Sequence, residues 1–404
     1  MNALNLNAMQ ALLDKRPTAS RRGRFIFPER YPMAELGNRW YTVSVNFFQE
    51  VLNLNPSARS AGKRTVAYIA LFLVVAVAGL AYVKWVPYWD KSLTAITTHS
   101  IGDSILGDPS AAGTFSWEST WSYVTAYFLA VWKAAVLGII LGSLVQVLIP
   151  ADWLLRTLGK TTFGSTAIAG LSSLPGMMCT CCAAPVAAGL RKKNVSVGAA
   201  LAFWLGNPVL NPAVLIFMTF VLSWKFTLIR VLVGAVLVFG VSYFANRFAP
   251  SAMPERIDKM MEEAETEAEE GHFLSRWLKA MGRMALFIVP AYFLSVLLIA
   301  AIRPWLFPLL DGASGNSLLM ILLFAIGGML FVIPTAAEIP IIQTFLTAGL
   351  GNGPAATLLI TLPAISLPSL LLVAGAFPRK VLWFVSGAVV LLGMLSGLIG
   401  MLVL

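Results

Sequence analysis

Three cysteines lie within four consecutive positions, at Cys179, Cys181 and Cys182, and the sequence has no others. Thiolates are polarizable ligands for soft metals and metalloids, and Cys179 and Cys182 also have the spacing of a dithiol redox pair. Cysteine equally packs as a small apolar residue where helices approach closely. The spacing leaves all three interpretations open, although clustering of every cysteine in one place makes chance a poorer explanation. Cysteines so close together do not form a disulfide framework.

Asparagine and proline interrupt the apolar segment Gly206–Pro212. Proline frees a backbone carbonyl group, and free polar groups at membrane depth persist only where protein or a water-filled cavity satisfies them. Asn207 and Asn211 are one helical turn apart, so both amides are expected on one face. They would either bond neighbouring helices or line a cavity, and we favour a cavity because the segment around Ser366 repeats the pattern. The candidate substrate-binding residues here are Asn207, Pro208, Asn211, Pro212, Pro363, Ser366 and Pro368.

One acidic residue, Glu338, lies in the apolar stretch around Pro340. A carboxylate is costly to bury in a membrane, so this residue would suit proton coupling or a cationic ligand. The alternative is a structural ion pair with a basic residue such as Lys133, in the middle of another apolar run. Glu338 and Lys133 are therefore the candidates for proton coupling. No metal site, cofactor site or catalytic residues are predicted, because no corresponding motif occurs in the sequence.

The segments around the cysteines and around Glu338 look like copies of one another. A single constant offset superposes Pro185 on Pro340 and Pro208 on Pro363. Each copy carries proline, glycine and small polar residues where a membrane helix normally carries leucine and valine. Duplicated, broken helices at bilayer depth are typical of the substrate site of a secondary transporter. Pro185 therefore joins the candidate substrate-binding residues.

The composition is that of a membrane protein. Apolar residues make up 58% of the chain and charged residues 12%, whereas about a quarter of the residues of a soluble domain are charged. Several apolar runs reach roughly 20 residues, the length that crosses a hydrocarbon core. The net charge of +10 resides mainly in the N-terminal tail and short loops, which favours topology signals over nucleic-acid binding. The expected fold class is all-α, a polytopic inner-membrane protein.

Apolar and polar stretches divide the chain into a series of segments. They are a basic N-terminal tail at 1–64, a first span and periplasmic loop at 65–117 with the span ending near Val86, a first repeat at 118–247, an acidic cytoplasmic linker at 248–280 and a second repeat at 281–404. Each repeat is expected to contain one span, a broken helical hairpin that enters and leaves on the same side, and two further spans. Such a hairpin is called re-entrant.

Positively charged residues predict the orientation, because they accumulate on the cytoplasmic side. The basic tail places the N-terminus in the cytoplasm, and re-entrant hairpins put the cluster Arg191–Lys193 and the acidic linker on the same side. The second repeat then enters the membrane from the face opposite to the first, so the repeats are expected to be inverted. The uncharged stretch 346–349, the counterpart of the basic cluster, lies outside on this scheme.

These motifs resemble a known family. The run Cys179-Thr-Cys-Cys182, Pro185 and the run Asn207-Pro-Val-Leu-Asn-Pro212 are together similar to the bacterial predicted-permease family that includes YraQ and the organoarsenical efflux permease ArsP. The resemblance covers roughly Trp121–Leu404 and leaves the tail and first span outside. It implies an inner-membrane permease of duplicated units. Its signature positions would be Cys179, Cys181, Pro185, Asn207, Pro208, Asn211 and Pro212. Cys182 departs from the family pattern, in which serine is usual.

Together these features predict a permease that moves a small thiophilic, sulfur-containing or metalloid solute across the membrane by alternating access, with proton-coupled efflux as one option. The expected partners are a small-molecule or ion substrate and membrane lipid, with no nucleic acid, and assembly into a homo-oligomer is left open. A transmembrane thiol–disulfide electron relay is a rival interpretation, although confinement of every cysteine to one repeat argues against it. A channel is a third. No enzymatic activity is predicted.

Overall fold

A computed structural model describes residues 59–102, 116–148, 151–249, 273–306, 317–347 and 349–404. The described residues form helices joined by short connections, with no β-strand among them. The compact unit Lys63–Leu404 contains the helices of both predicted repeats. Most of the basic tail and of the acidic linker lies outside the described residues.

The helices follow one another in two series. The first series is α1 Arg59–Leu80, α2 Val86–Thr98, α3 Trp117–Leu148, α4 Ala151–Leu158, α5 Phe163–Ser173, α6 Thr180–Lys192, α7 Val197–Val209, α8 Pro212–Val221, α9 Trp224–Ala235 and α10 Ser242–Ala245. The second series is α11 Phe273–Leu306, α12 Leu318–Leu330, α13 Glu338–Thr347, α14 Asn352–Ala364, α15 Leu367–Val373 and α16 Arg379–Val403. A π-helical turn at Ala81–Trp85 joins α1 to α2, and another at Val236–Val241 joins α9 to α10.

Six helical stretches in the described part of the chain are long and apolar enough to cross a membrane. They are Tyr68–Thr98, Trp117–Leu148, Val197–Val221, Trp224–Phe248, Asn352–Val373 and Arg379–Val403. Large apolar side chains are exposed on their outer faces, among them Leu129, Trp383 and Leu402. Such a surface is costly in water but suits contact with lipid. The prediction of an all-helical, multi-pass membrane protein is confirmed.

The first span is longer than the sequence suggested. The polar loop was expected to begin near Val86, whereas the helix continues to Thr98. Its polar side chains form hydrogen bonds within the helix. The hydroxyls of Thr94 and Thr98 donate to the carbonyl groups four residues earlier, at 3.1 and 2.8 Å. Polar residues therefore extend this helix instead of ending it. It stops at His99, whose backbone is left-handed with a φ of 51°.

Equivalent helices of the two predicted repeats begin at equivalent positions. The pairs of first residues are Phe163 and Leu318, Val197 and Asn352, Pro212 and Leu367, and Trp224 and Arg379, with the same separation in every pair. The interruptions coincide because the same residue types cause them. Pro208 and Pro363 stand in the last turns of α7 and α14, and each helix stops shortly afterwards.

The last helices of the two repeats lie side by side and run antiparallel. At one end the Lys225 ammonium donates to the Val403 carbonyl at 2.9 Å. At the other end the rings of Phe248 and Phe384 stack with their centroids 4.5 Å apart. The first residue of each pair belongs to the stretch Trp224–Phe248, and the second to α16. Equivalent helices that run in opposite directions are a requirement of an inverted arrangement.

Glycines on α3 set the position of α6, the helix that contains Cys181 and Cys182. A Cβ atom at Gly138 would collide with the Cys182 carbonyl oxygen, and one at Gly142 would lie 2.8 Å from the Pro185 carbonyl. The backbones can approach this closely only because glycine has no side chain. Tight backbone packing therefore fixes the first turns of α6 relative to α3.

Candidate functional site

Helix ends from both repeats meet around one small cavity. Its lining residues come from the start of α6, the end of α7, the segment before α13 and the end of α14: Cys179, Thr180, Pro208, Ile333, Pro334, Thr335, Glu338, Leu362 and Pro363. The cavity has room for about one water molecule. Sulfur, hydroxyl and carboxylate groups therefore face each other across a narrow, largely buried space.

Strained backbone precedes both half-length helices at the cavity. Two residues before Cys179, Met177 has a φ of 47°, and two residues before Glu338, Ala336 has a φ of 73°. Residues with a Cβ rarely adopt this left-handed conformation, and it persists where the surrounding structure imposes it. Here it turns the chain sharply, so that α6 and α13 each begin at the cavity wall.

The cysteines surround the first turn of α6 and are all buried. Cys179 occupies the position immediately before the helix, and its sulfur lies 3.1 Å from that of Cys182. The Cys181 sulfur lies 3.4 Å from the Ser366 hydroxyl, which is also 3.5 Å from the Thr180 hydroxyl. The predicted cysteine cluster of the first repeat thus contacts the start of α15 in the second.

Lys84 reaches this region from the first span. Its ammonium group donates to the Thr335 hydroxyl at 3.1 Å and the Tyr88 hydroxyl at 3.2 Å, and Thr335 lines the cavity together with Cys179. The side chain is only 5% exposed. The sequence analysis missed this residue. A single lysine near the end of a long apolar run was the available signal.

A buried ion pair joins the two repeats beside the cavity. The Arg230 Nη1 atom lies 2.9 Å from the Glu338 Oε1 atom, and the two side chains are 0% and 2% exposed. Arg230 also donates from Nη2 to the Pro208 carbonyl at 2.7 Å and from Nε to the Val209 carbonyl at 2.9 Å. It thus satisfies carbonyl groups that the end of α7 leaves free. The sequence analysis missed Arg230, a solitary basic residue within an apolar span.

Lys133 does not take part in this ion pair. It is exposed on α3, with its ammonium 5.8 Å from the ring centroids of both Tyr82 and Trp132. The structural pair considered for Glu338 therefore forms with Arg230 instead. Pro185 also lies apart from the cavity lining, since it packs against Gly142 of α3. Residue type alone did not distinguish Lys133 and Pro185 from the residues that line the cavity.

The two asparagines of the first repeat do not share one helix face. The chain leaves the helix at Leu210 between them, and Asn211 caps α8 by accepting from the backbone N–H groups of Ala213 at 3.1 Å and Val214 at 3.3 Å. Pro212 follows as the first residue of α8, a favoured position for proline. Asn207 remains in α7 and donates to the Phe203 carbonyl at 2.9 Å.

Each asparagine keeps one buried polar atom without a hydrogen-bond partner in the described structure. These atoms are the Asn207 side-chain oxygen and the Asn211 side-chain nitrogen. The second repeat supplies the equivalent break with Ser366, whose backbone N–H donates to the Ser369 hydroxyl at 3.0 Å, and with Pro368 in the first turn of α15. Unsatisfied buried amide atoms are costly. Neither asparagine is among the residues that line the cavity, although Pro208 beside Asn207 is.

The fold and the site define a multi-pass helical membrane protein in which interrupted helices meet around a small cavity. The chain belongs to the predicted-permease family, which matches residues 116–402. It is 52% identical to the UPF0718 protein YraQ of Escherichia coli K12, over 81% of this chain and 93% of that protein. It is 19% identical to the UPF0718 protein MJ0584 of Methanocaldococcus jannaschii, over 67% of this chain and 92% of that protein. No solved structure matches the chain. The resemblance predicted from the cysteine and asparagine–proline motifs is confirmed.

Proposed function

We propose that this protein is an inner-membrane permease that carries a small thiophilic, sulfur-containing or metalloid solute by alternating access. The observation that carries the proposal is the convergence of interrupted helices from both repeats on one polar cavity. Irregular backbone at membrane depth is tolerated where it lines such a space, and transporters place their substrate sites there. Family membership supports transport as the class of function.

The proposed architecture is a pair of inverted repeats, each with a re-entrant hairpin. The hairpins would be α5 with α6 and α12 with α13. Three observations support this arrangement: the matching helix starts, the antiparallel contact of α16 with the stretch Trp224–Phe248, and the reciprocal packing of α6 on α15 and of α13 on α8. Each hairpin's second helix thus touches the break of the other repeat. The N-terminus would lie in the cytoplasm, as the basic tail predicts.

The proposed substrate contacts combine soft sulfur atoms with unsatisfied amides. Cys179 faces the cavity, with the other two thiols directly behind it. Asn207 and Asn211 offer an acceptor and a donor, and Pro208 and Pro363 shape the wall. The cavity is too small for a solute larger than water, so the structure represents a closed state in this scheme. Opening would separate the two repeats along the cavity.

Glu338 is the proposed proton carrier. It lines the cavity and pairs with Arg230 across the boundary between the repeats. Protonation would neutralise the carboxylate, weaken this ion pair and leave Arg230 held only by the carbonyl groups of α7. A proton would thereby favour a conformation in which the repeats are apart, which is the differential effect that a coupling ion requires. Efflux is the direction we propose, in keeping with a proton moving inward.

The test is transport by the purified full chain in proteoliposomes. Thiophilic solutes, including a trivalent organoarsenical, are offered with and without a pH gradient. We expect gradient-dependent uptake of at least one, its loss when Cys179, Cys181 and Cys182 are all replaced by serine, and a flattened pH dependence in Glu338→Gln. Glu118→Gln, at an exposed acidic residue of α3, is the matched control. Flux that ignores the proton gradient would reject coupling, and unchanged flux in the serine variant would leave the cysteines as packing residues.

A further inference from the structure

We propose that Lys84 is the countercharge of a Cys179 thiolate, and that the cargo is a soft electrophile rather than an anion. The second half of this statement rests on the proposed transport function, whereas the first half concerns only the chemistry of the thiol. Lys84 would then act as a positioning residue that lies in the first span, before the residues matched by the family.

The argument begins with the charge on Lys84. An ammonium group buried to this degree is strongly destabilising unless a negative group lies beside it. In the described structure its hydrogen bonds go to two hydroxyl groups, those of Tyr88 and Thr335. The cavity carboxylate, Glu338, is already paired with Arg230, and no carboxylate in the described residues forms an ion pair with Lys84. The remaining groups nearby that can carry negative charge are the Tyr88 phenol and the thiols at the start of α6, and a thiol loses its proton at lower pH than a phenol.

Cys179 is the thiol best placed to be ionised. It stands at the N-terminus of α6, where free backbone N–H groups favour an anion. Its sulfur is 3.1 Å from that of Cys182, close enough for the second thiol to donate a hydrogen bond to a thiolate. It lines the same cavity as Thr335, the residue to which the Lys84 ammonium donates. A helix N-terminus, a Cys-x-x-Cys partner and a neighbouring lysine are the three features that stabilise thiolates in proteins.

Other titratable groups around α6 do not supply a competing charge. The neighbouring helices α7 and α15 carry no titratable side chain. The third neighbour, α3, contributes Tyr123 and Tyr127 to the interior, and its charged residues are exposed. Across the cavity, Arg230 and Glu338 neutralise each other. The local balance is therefore one ammonium and one thiolate, which leaves the site without net charge.

This balance selects the chemistry of the cargo. A thiolate donates a sulfur lone pair to an electron-poor centre. A soft cation gains a coordinate bond, whereas a trivalent arsenic–oxygen compound forms an arsenic–sulfur bond and releases its oxygen as hydroxide. Neither partner is oxidised or reduced. Soft cations and neutral soft electrophiles accept such a bond. An anion would be repelled by the thiolate and would gain little from Lys84, whose charge is already compensated. Only Cys179 among the three cysteines lines the cavity, so it makes the first contact.

The first experiment measures thiol reactivity in the purified full chain, without any transport. Iodoacetamide alkylation of each cysteine is followed by mass spectrometry as a function of pH. The reagent enters when the closed cavity opens in the alternating-access scheme, and we expect Cys179 to react then at neutral pH. Lys84→Met should slow its reaction by about tenfold or more and move the pH–rate curve to higher pH, whereas Lys84→Arg should retain the wild-type curve. Lys91→Met, at an exposed lysine of the same helix, is the matched control. An unchanged curve in a folded Lys84→Met protein overturns the proposal.

The second experiment identifies the class of ligand by protection of Cys179 from alkylation. The probes are silver ion as a soft cation, phenylarsine oxide as a neutral soft electrophile, and thiosulfate as a thiophilic anion. Protection by silver ion or by phenylarsine oxide supports the proposal. The probe that protects shows whether the site takes a soft cation or a neutral soft electrophile. Protection by thiosulfate that disappears in Lys84→Met would instead assign Lys84 to anion binding and overturn it. Normal thiol chemistry with no transport of any solute would reject the proposed function alone.

Discussion

The ion pair between Arg230 and Glu338 offers the sharpest test of how the two repeats are held together. Both side chains are buried, the charged atoms are 2.9 Å apart, and the guanidinium also holds the carbonyl groups of Pro208 and Val209. We consider Arg230→Met, Glu338→Gln and the double variant. The three replacements remove different parts of one network, so their costs should not add.

The structure predicts the order of these costs. Removing one member of a buried ion pair costs about 3–5 kcal/mol, because the other charge is left uncompensated. Glu338→Gln should lower the free energy of unfolding by about 3 kcal/mol, since the guanidinium keeps its two carbonyl partners. Arg230→Met should cost about 5 kcal/mol or more, because it strands the carboxylate and frees both carbonyl groups. The double variant should cost no more than Arg230→Met, since no carboxylate remains to be stranded.

The assay is equilibrium unfolding in mixed detergent micelles, with sodium dodecyl sulfate as the denaturant and tryptophan fluorescence as the signal. Arg247→Met is the control, because this arginine lies at the end of the same span as Arg230 but is exposed. Its cost should be within about 0.5 kcal/mol of zero. Costs of the two single variants that add within about 0.5 kcal/mol in the double variant would show that the side chains do not interact.

Two further predictions concern packing and topology. Gly138→Ala should destabilise the protein by about 1–3 kcal/mol, because the added methyl group collides with the Cys182 carbonyl. Gly327→Ala should be nearly neutral in the same unfolding assay, since a Cβ there meets no atom within 4 Å. Cysteine-directed labels on tags at the two chain ends should react from opposite sides of the membrane if the repeats are inverted. Labelling of both ends from one side would exclude that arrangement.

Helix interruptions were predictable from sequence because proline, asparagine and glycine act locally. Pro208 and Pro363 break their helices without help from the rest of the fold. Continuation of the first span was less predictable, since threonine hydroxyls satisfied by the preceding turn allow a polar stretch to remain helical. Other membrane helices that carry threonine in their last turns would, for the same reason, extend beyond the end that their sequence predicts.

The charged partners in the site depend on contacts between distant parts of the chain. Lys84 and Thr335 form a hydrogen bond although 251 positions separate them in the sequence, and no local sequence pattern predicts that contact. Solitary basic residues in apolar runs were a usable signal, because a membrane span keeps such a residue only when something compensates its charge. That signal also drew attention to Lys133, which the structure places on an exposed face. The sequence therefore identifies charged residues as candidates for the site, and the packing of the helices determines which of them lie in it.

The repeats share a backbone plan but divide the chemistry between them. The offset that superposes the repeats matches Glu338 with Ala183 and Arg230 with Val385, and both apolar counterparts are fully buried. The second repeat in turn has no cysteine. If the two repeats were identical, the two conformations that they exchange would have the same free energy, and transport of a solute would have no preferred direction. In the proposed mechanism, the thiol cluster in one repeat and the ion pair on the opposite wall would give the two conformations different free energies. In this mechanism a proton on Glu338 and a solute on Cys179 would each favour a different conformation, which is the condition for coupling their movements.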